Sequence, residues 1–205
     1  CLSLSQNAMS VVQSLINSGY LVKVIDERGR SIVKIFGSWN NSIGDMHPGE
    51  GYYVNVNTNC TLTISCLGSV LFASLTNQPE SVTPKHFQVQ LRGHPFEPMN
   101  IFVVEARVDG EYLNVGDEIA VFNGDQCVGA SVVQHPLSVN TPLEIIASKD
   151  DGSGNGFKPG DKIRFKVWRS NTGEEGIFDA EGVQYLDPDK AELISASMFE
   201  GFGTA

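Results

Sequence analysis

The chain has 205 residues, of which 41% are hydrophobic and 19% charged, and its formal net charge is −10. That charge argues against nucleic acid as a partner, because a phosphate backbone demands a basic surface. No apolar run approaches the ~20 residues that span a bilayer, and 21 glycines point to many turns and little long helix. The length suits one large β-domain or two small ones.

In chain order, CLSLS (1–5) alternates apolar and polar residues and predicts a half-buried strand. The period then changes. Ala8, Val11, Val12, Leu15 and Ile16 make one apolar stripe at helical spacing, with Asn7 as N-cap and Gly19 as the stop. YLVKVID (20–26) and SIVKIF (31–36) read as a hairpin through Glu27-Arg28-Gly29-Arg30, followed by a loop holding Trp39, Asn40 and Asn41. After the turn at 47–51, YYVNVN (52–57) and TLTIS (61–65) complete a strand-rich unit, with VLFASL (70–75) as a further strand. NQPESVTPK (77–85) combines two prolines with polar residues and is the linker candidate.

Beyond it the pattern is nearly all β. FQVQL, NIFVVEARV, EIAVF, CVGASVV, LEIIAS, KIRFKVW, GIFDA and VQYL are separated by Gly, Pro, Asn or Asp turns, as in a sandwich or jelly-roll arrangement. The clearest local signal is EIAVF and CVGASVV around Asn123-Gly124-Asp125, a tight hairpin whose turn needs positive φ. The expectation is a mainly β protein: a small strand-rich α+β module at 1–76, the linker at 77–85, and an antiparallel β-sandwich at 86–205.

Four cysteines are too few for a disulfide framework and lack metal-ligand spacing. Cys60 and Cys66 flank the predicted strand TLTIS, which would hold them ~20 Å apart, too far to bond each other. Cys1, in another strand, is a candidate partner for either. Cys127 reads as a buried free thiol.

Two stretches resemble known modules. From Leu4 to Cys66, the segments CLSLS, LVKVIDERG, SWNNSIGDM and PGEGYYVNVN resemble a module of large secreted proteins of the Bacteroidetes type. GDEIAVFNGDQCVGA, ASKDDGSGNGFKPGDKIRFKVW and MFEGFG are similar to a second module of the same proteins. The resemblance implies a multi-modular polypeptide exported to the cell surface, and many such modules have no assigned activity. The family's opening Trp-Asn is missing here, so the expectation is a fragment of a longer polypeptide. A lipid-modified Cys1 is the rival explanation. The sequons Asn40-Asn41-Ser42 and Asn59-Cys60-Thr61 carry no weight in a bacterial protein, which the resemblance implies.

Three constellations could carry chemistry. Asp151, Ser153 and Asn155 alternate as oxygen donors before Gly156, like the first half of an EF-hand calcium loop, with Asp150 and Asp161 available to join them. Position twelve is Lys162, where that loop requires Glu, so a looser calcium site competes with a Gly-rich loop whose short polar side chains satisfy local backbone. Asp117, Glu118 and Asp125 invite a paired-carboxylate reading, but strand neighbours point to opposite faces, and they read instead as solvated turn residues.

Among Trp39, Tyr52, Tyr53, Trp168, Phe178 and Tyr185, Trp168 is the candidate sugar platform. Alternation in KIRFKVW puts Ile163, Phe165 and Val167 on one face, with Lys162, Arg164, Lys166 and Trp168 on the other. A packing role for Trp168 is the competing reading. The histidines are scattered, and neither a nucleophile elbow nor a phosphate loop is present. The chain therefore reads as non-enzymatic. The expectation is an extracellular or cell-surface structural or adhesive module that associates with copies or neighbours by strand addition, and the alternative is a carbohydrate-binding module of a secreted polysaccharide-degrading enzyme.

Overall fold

A computed structural model describes residues 2, 4–64, 82–91, 93–178, 183–186, 193–194, 198–199, 201 and 203–205. The fold is mainly β, with antiparallel sheets and one short helix among the described residues. That helix is neither long nor apolar enough to cross a membrane. The chain divides into two compact units, Cys1–Glu80 and Ser81–Ala205.

In the first unit, β1 (Gln6–Asn7) runs directly into α1 (Ala8–Asn17). Asn7 caps the helix, its Oδ1 accepting from the Ser10 N–H at 3.1 Å, which satisfies one of the donors a helix start leaves unpaired. At the other end Gly19 takes φ +71°, and its N–H donates to the Ile16 carbonyl at 3.0 Å. The chain continues through β2 (Leu21–Asp26), β3 (Ser31–Ile35), β4 (Ser38–Asn41), β5 (Asp45–Met46) and β6 (Tyr52–Val56). β5 pairs with β1, and a four-stranded sheet runs β4-β3-β2-β6. The helix stripe Ala8, Val12 and Leu15 packs with Leu21, Val24, Ile32, Ile43 and Met46 to form the core.

Three expectations for this unit need correction. Trp39–Asn41 lie in β4, where a loop was expected. Phe36 and Gly37 both take positive φ (48° and 80°), making a two-residue turn that returns the chain at once alongside β3. The first strand described is Gln6–Asn7, just beyond the expected 1–5, of which residues 1 and 3 lie outside the described residues, and residues 61–64 of TLTIS carry no strand. Cys1, Cys66 and VLFASL lie outside the described residues, while Cys60 is exposed and its thiol free.

The second unit contains β7 (Met99–Val103), β8 (Arg107–Val108), β9 (Glu111–Tyr112), β10 (Glu118–Asn123), β11 (Gln126–Val132), β12 (Leu143–Ala147), β13 (Arg164–Trp168), β14 (Glu175–Phe178), β15 (Tyr185–Leu186) and β16 (Leu193–Ile194). One sheet runs β11-β10-β13-β14, and β12 pairs with β7 in another. Residues 203–205 lie parallel beside β7, held by an Asn100–Thr204 bridge and by the Asn100 N–H donating to the Gly203 carbonyl at 3.1 Å.

Ile119, Val121, Val128, Phe165 and Val167 face Met99, Ile101, Leu143, Ile145 and Ala147 across the sandwich core. Phe157 and Phe199 complete it, stacked at 5.1 Å. The alternation Ile163, Phe165, Val167 toward the core holds. NIFVVEARV is two strands, not one, and FQVQL is irregular, because Phe87 binds a sheet face through its side chain rather than an edge through its backbone.

The β10–β11 turn is Gly124-Asp125, with Gly124 at φ +60° in the first central position, where only positive φ matches the strand twist. A bulge then skips one residue of β11, since Val121 pairs with Gly129 and Phe122 with Cys127. The bulge leaves Val128 in the sandwich core and Cys127 in the small cluster on the opposite face. Gly129 faces the backbone of β12. A Cβ there would sit 2.3 Å from the Ile146 carbonyl oxygen, so the two strands come this close only because the residue is glycine.

Candidate functional site

The outer face of the β11-β10-β13-β14 sheet is the best-developed site in the second unit. The two-residue period of β10 sends Ile119 and Val121 into the core and leaves Glu118, Ala120 and Phe122 on the outer face. β13 contributes Lys166 and Trp168 to that face by the same alternation. Ala120, Phe122 and Cys127 would form an apolar floor open to water, but residues 85–91 lie over it. Phe87 inserts there with 5% exposure, edge-on to Phe122 at 5.7 Å.

Glu118 holds this strap. Its carboxylate is 2% exposed and accepts from three successive backbone N–H groups. Lys85 donates at 2.6 Å, His86 at 3.0 Å and Phe87 at 2.9 Å. Consecutive N–H groups form a concavity suited to an anion, and here the anion is supplied by the sheet. The Gln90 N–H adds a bond to the Cys127 carbonyl at 3.1 Å.

His86 lies flat on Trp168, with ring centroids 4.8 Å apart and planes 6° from parallel. Its Nε2 is 2.7 Å from Glu175 Oε1, and Lys166 Nζ stands 3.8 Å from the other Glu175 oxygen and 4.5 Å from the Phe122 ring centre. One face of the candidate sugar platform is therefore covered by a residue of its own chain. Cys127 is a free, buried thiol beneath the strap, pushed up to about 11 by burial.

Asp117 and Glu118 are not solvated turn residues. Asp117 is fully buried: its Oδ2 accepts from the Asn114 N–H at 2.8 Å, and its Oδ1 from the Ser170 N–H and hydroxyl, each at 2.9 Å. The correction has a physical cause. A buried carboxylate must be matched by donors, and apart from the Asn114 N–H these donors come from positions 31 to 53 residues away, which local patterning does not reveal. The two carboxylates do point to different surroundings, as strand alternation requires.

In the candidate calcium loop the carboxylates accept hydrogen bonds from the loop's own backbone. Asp150 Oδ1 accepts from the Gly152 and Gly154 N–H groups at 2.9 and 2.8 Å, and Asp151 Oδ1 from the Ser153 N–H at 2.9 Å. The Ser153 side chain first, and its N–H second, hold the exposed Asp151 carboxyl below its ordinary range. Asp161 Oδ2 accepts from Lys158 N–H at 2.7 Å and Asn123 Nδ2 at 3.1 Å, while Asn155 Oδ1 accepts from Gln126 Nε2 at 3.3 Å. Among the described residues no group of three or more His, Cys, Asp or Glu side chains is placed to hold a metal ion.

The other aromatic candidates differ in setting. Tyr185 is buried, Trp39 is half-buried on the first unit's core, and Tyr53 is exposed. The Phe178 side chain lies outside the description. In the first unit the Tyr52 hydroxyl donates to Glu50 Oε2 at 2.5 Å and accepts from the His47 N–H at 2.9 Å; burial and that carboxylate push its phenol up to about 12. Elsewhere in the second unit, Val104, Ala106, Tyr112, Leu113, Leu137 and Val139 line a shallow depression. Arg107 stacks over the Tyr112 ring at 4.1 Å and donates to its hydroxyl, so this ring too has one face occupied.

Comparison with family models, with curated proteins and with solved structures yields no match to this chain.

Proposed function

We propose that this chain is a non-catalytic structural or adhesive module that acts outside the cell or on its surface and associates with copies of itself or with neighbouring modules. The observation that carries the reading is how the candidate carboxylates are employed. Asp117, Glu118, Asp150 and Asp161 each accept from backbone N–H groups and fix loops or the strap, instead of converging on a shared cleft.

Sheet edges offer the means of association. In the first unit β4 is an outer strand of the sheet and pairs with one strand, β3, among the described residues. An edge strand presents unpaired N–H and C=O groups to which another strand adds. β4 is only four residues long, as suits an edge kept from indiscriminate pairing.

The test is light scattering coupled to size-exclusion chromatography over rising concentration, with and without calcium. Concentration-dependent oligomers support the reading, and a monodisperse monomer throughout removes it. Affinity electrophoresis against cellulose, xylan and chitin addresses the carbohydrate alternative. Retardation abolished by Trp168→Ala would establish sugar binding in its place.

A further inference from the structure

We propose that residues 85–91 are an exchangeable strap, and that the groove they fill on the second unit accepts the same segment from a second copy of this chain. The inference rests on the self-association reading above and names the segment that would carry it.

The groove is built to recognise a bent segment of backbone. Glu118 binds three successive backbone N–H groups, which converge only where the chain bends as it does at residues 85–87, so the carboxylate selects conformation rather than side chain. Selectivity comes from two side chains on the strap. Phe87 fills the floor made by Ala120, Phe122 and Cys127, and His86 fits between the Trp168 ring and the Glu175 carboxylate. The occupant is identified by what the groove already holds, since its backbone donors, aromatic plug and imidazole are those of this chain's own residues 85–87.

Exchange is physically economical. The strap has no regular secondary structure, and the contacts above join it to a single sheet face. It begins at Lys85, the last residue of the Pro-containing stretch NQPESVTPK (77–85). Donating the strap to another copy remakes every contact with no new chemistry, which makes segment exchange a low-cost route to dimers. The copy in cis competes at an effective concentration on the order of millimolar. Exchange is therefore favoured where copies are densely arrayed or where the cis contact is weakened.

That competition supplies the test. The full-length Phe87→Ala variant keeps an intact groove but a weak strap, and Glu118→Gln keeps an intact strap but a weak groove. Mixed, the good strap of one and the good groove of the other can meet only between molecules. The expected result is a 1:1 heterodimer that forms at a concentration roughly two- to a hundredfold below that at which either variant alone dimerises, the factor being set by how far the Phe87 and Glu118 contacts reinforce one another on one strap. Hydrogen exchange should show the residue 85–87 amides of the Glu118→Gln partner protected only in the mixture.

If either substitution unfolds the second unit, the milder pair Phe87→Leu and Glu118→Asp is read in the same way. Two folded variants that stay monomeric on mixing overturn the proposal. So does oligomerisation that is equal in each variant alone and in the mixture, although that result leaves association through the sheet edges standing. A parent chain that is monomeric at all concentrations, together with a heterodimer from the variants, supports the exchange and counts against the broader assembly reading.

Discussion

Replacing Asp117 with Asn changes one atom of a fully buried side chain and tests whether this carboxylate holds two distant turns together. In the native protein its oxygens accept three hydrogen bonds, one from Asn114 and two from Ser170. Bonds to a charged acceptor are worth about 1.5–3 kcal/mol each. The amide retains one acceptor oxygen, which can keep the Ser170 pair as weaker neutral bonds. Its NH2 group then faces the Asn114 N–H, donor against donor, and a buried donor left unsatisfied costs about 1–3 kcal/mol.

Together these losses amount to about 3–5 kcal/mol. For a unit of about 125 residues, an unfolding entropy of about 2.1 cal/mol/K per residue converts this to a fall in Tm of roughly 10–20 °C. Differential scanning calorimetry of the full chain measures the shift, and hydrogen exchange at Asn114 and Ser170 localises it. Ser170→Ala removes only the hydroxyl donor, should cost about 1 kcal/mol, and should be less than additive with Asp117→Asn because the two share a bond. A second-unit transition within ~3 °C of the parent for Asp117→Asn would show that the carboxylate does not bear this load.

Gly129→Ala should destabilise the second unit by about 1–3 kcal/mol or more, because the added methyl meets the Ile146 carbonyl oxygen at 2.3 Å and the strands must separate; chemical denaturation measures this, and an unchanged midpoint refutes the close approach. The Tyr52 phenol titrates at about 12 in the folded chain against an ordinary 10.0, so it contributes stability that is whole below pH 10 and is lost as pH rises toward 12. Phenolate absorbance should show that late step, and Tyr52→Phe should remove it. Calcium should leave Tm unchanged, because the loop carboxylates already accept backbone donors. Binding at a hundredfold excess over Kd would instead add about 2.7 kcal/mol, a shift that calorimetry would register.

Most strands were legible because their signal is local. The period-two pattern of Ile163, Phe165 and Val167 announces which face is buried, and the Asn7 cap with its apolar stripe announces the helix. Trp39–Asn41 escaped because the turn before them places a phenylalanine at positive φ, which residue preferences disfavour. The residues of the candidate site were less legible still. Glu118 looks like a solvated charge beside a turn until residues 85–87 arrive to donate to it. His86 looks like part of a linker until its ring meets Trp168.

By itself the sequence determined that this is a mainly β chain with a short helix near its start, where its tight hairpin lies, and which residues of KIRFKVW face the core. Those properties follow from backbone geometry and the alternation of apolar side chains, which act over a few residues. Only the tertiary structure decided that Asp117 and Glu118 are buried anchors, that Trp168 is covered on one face, and that residues 85–91 lie on a sheet as a strap. Each of these depends on donors, rings and apolar surfaces tens of residues apart in sequence, and folding alone brings them within hydrogen-bonding distance.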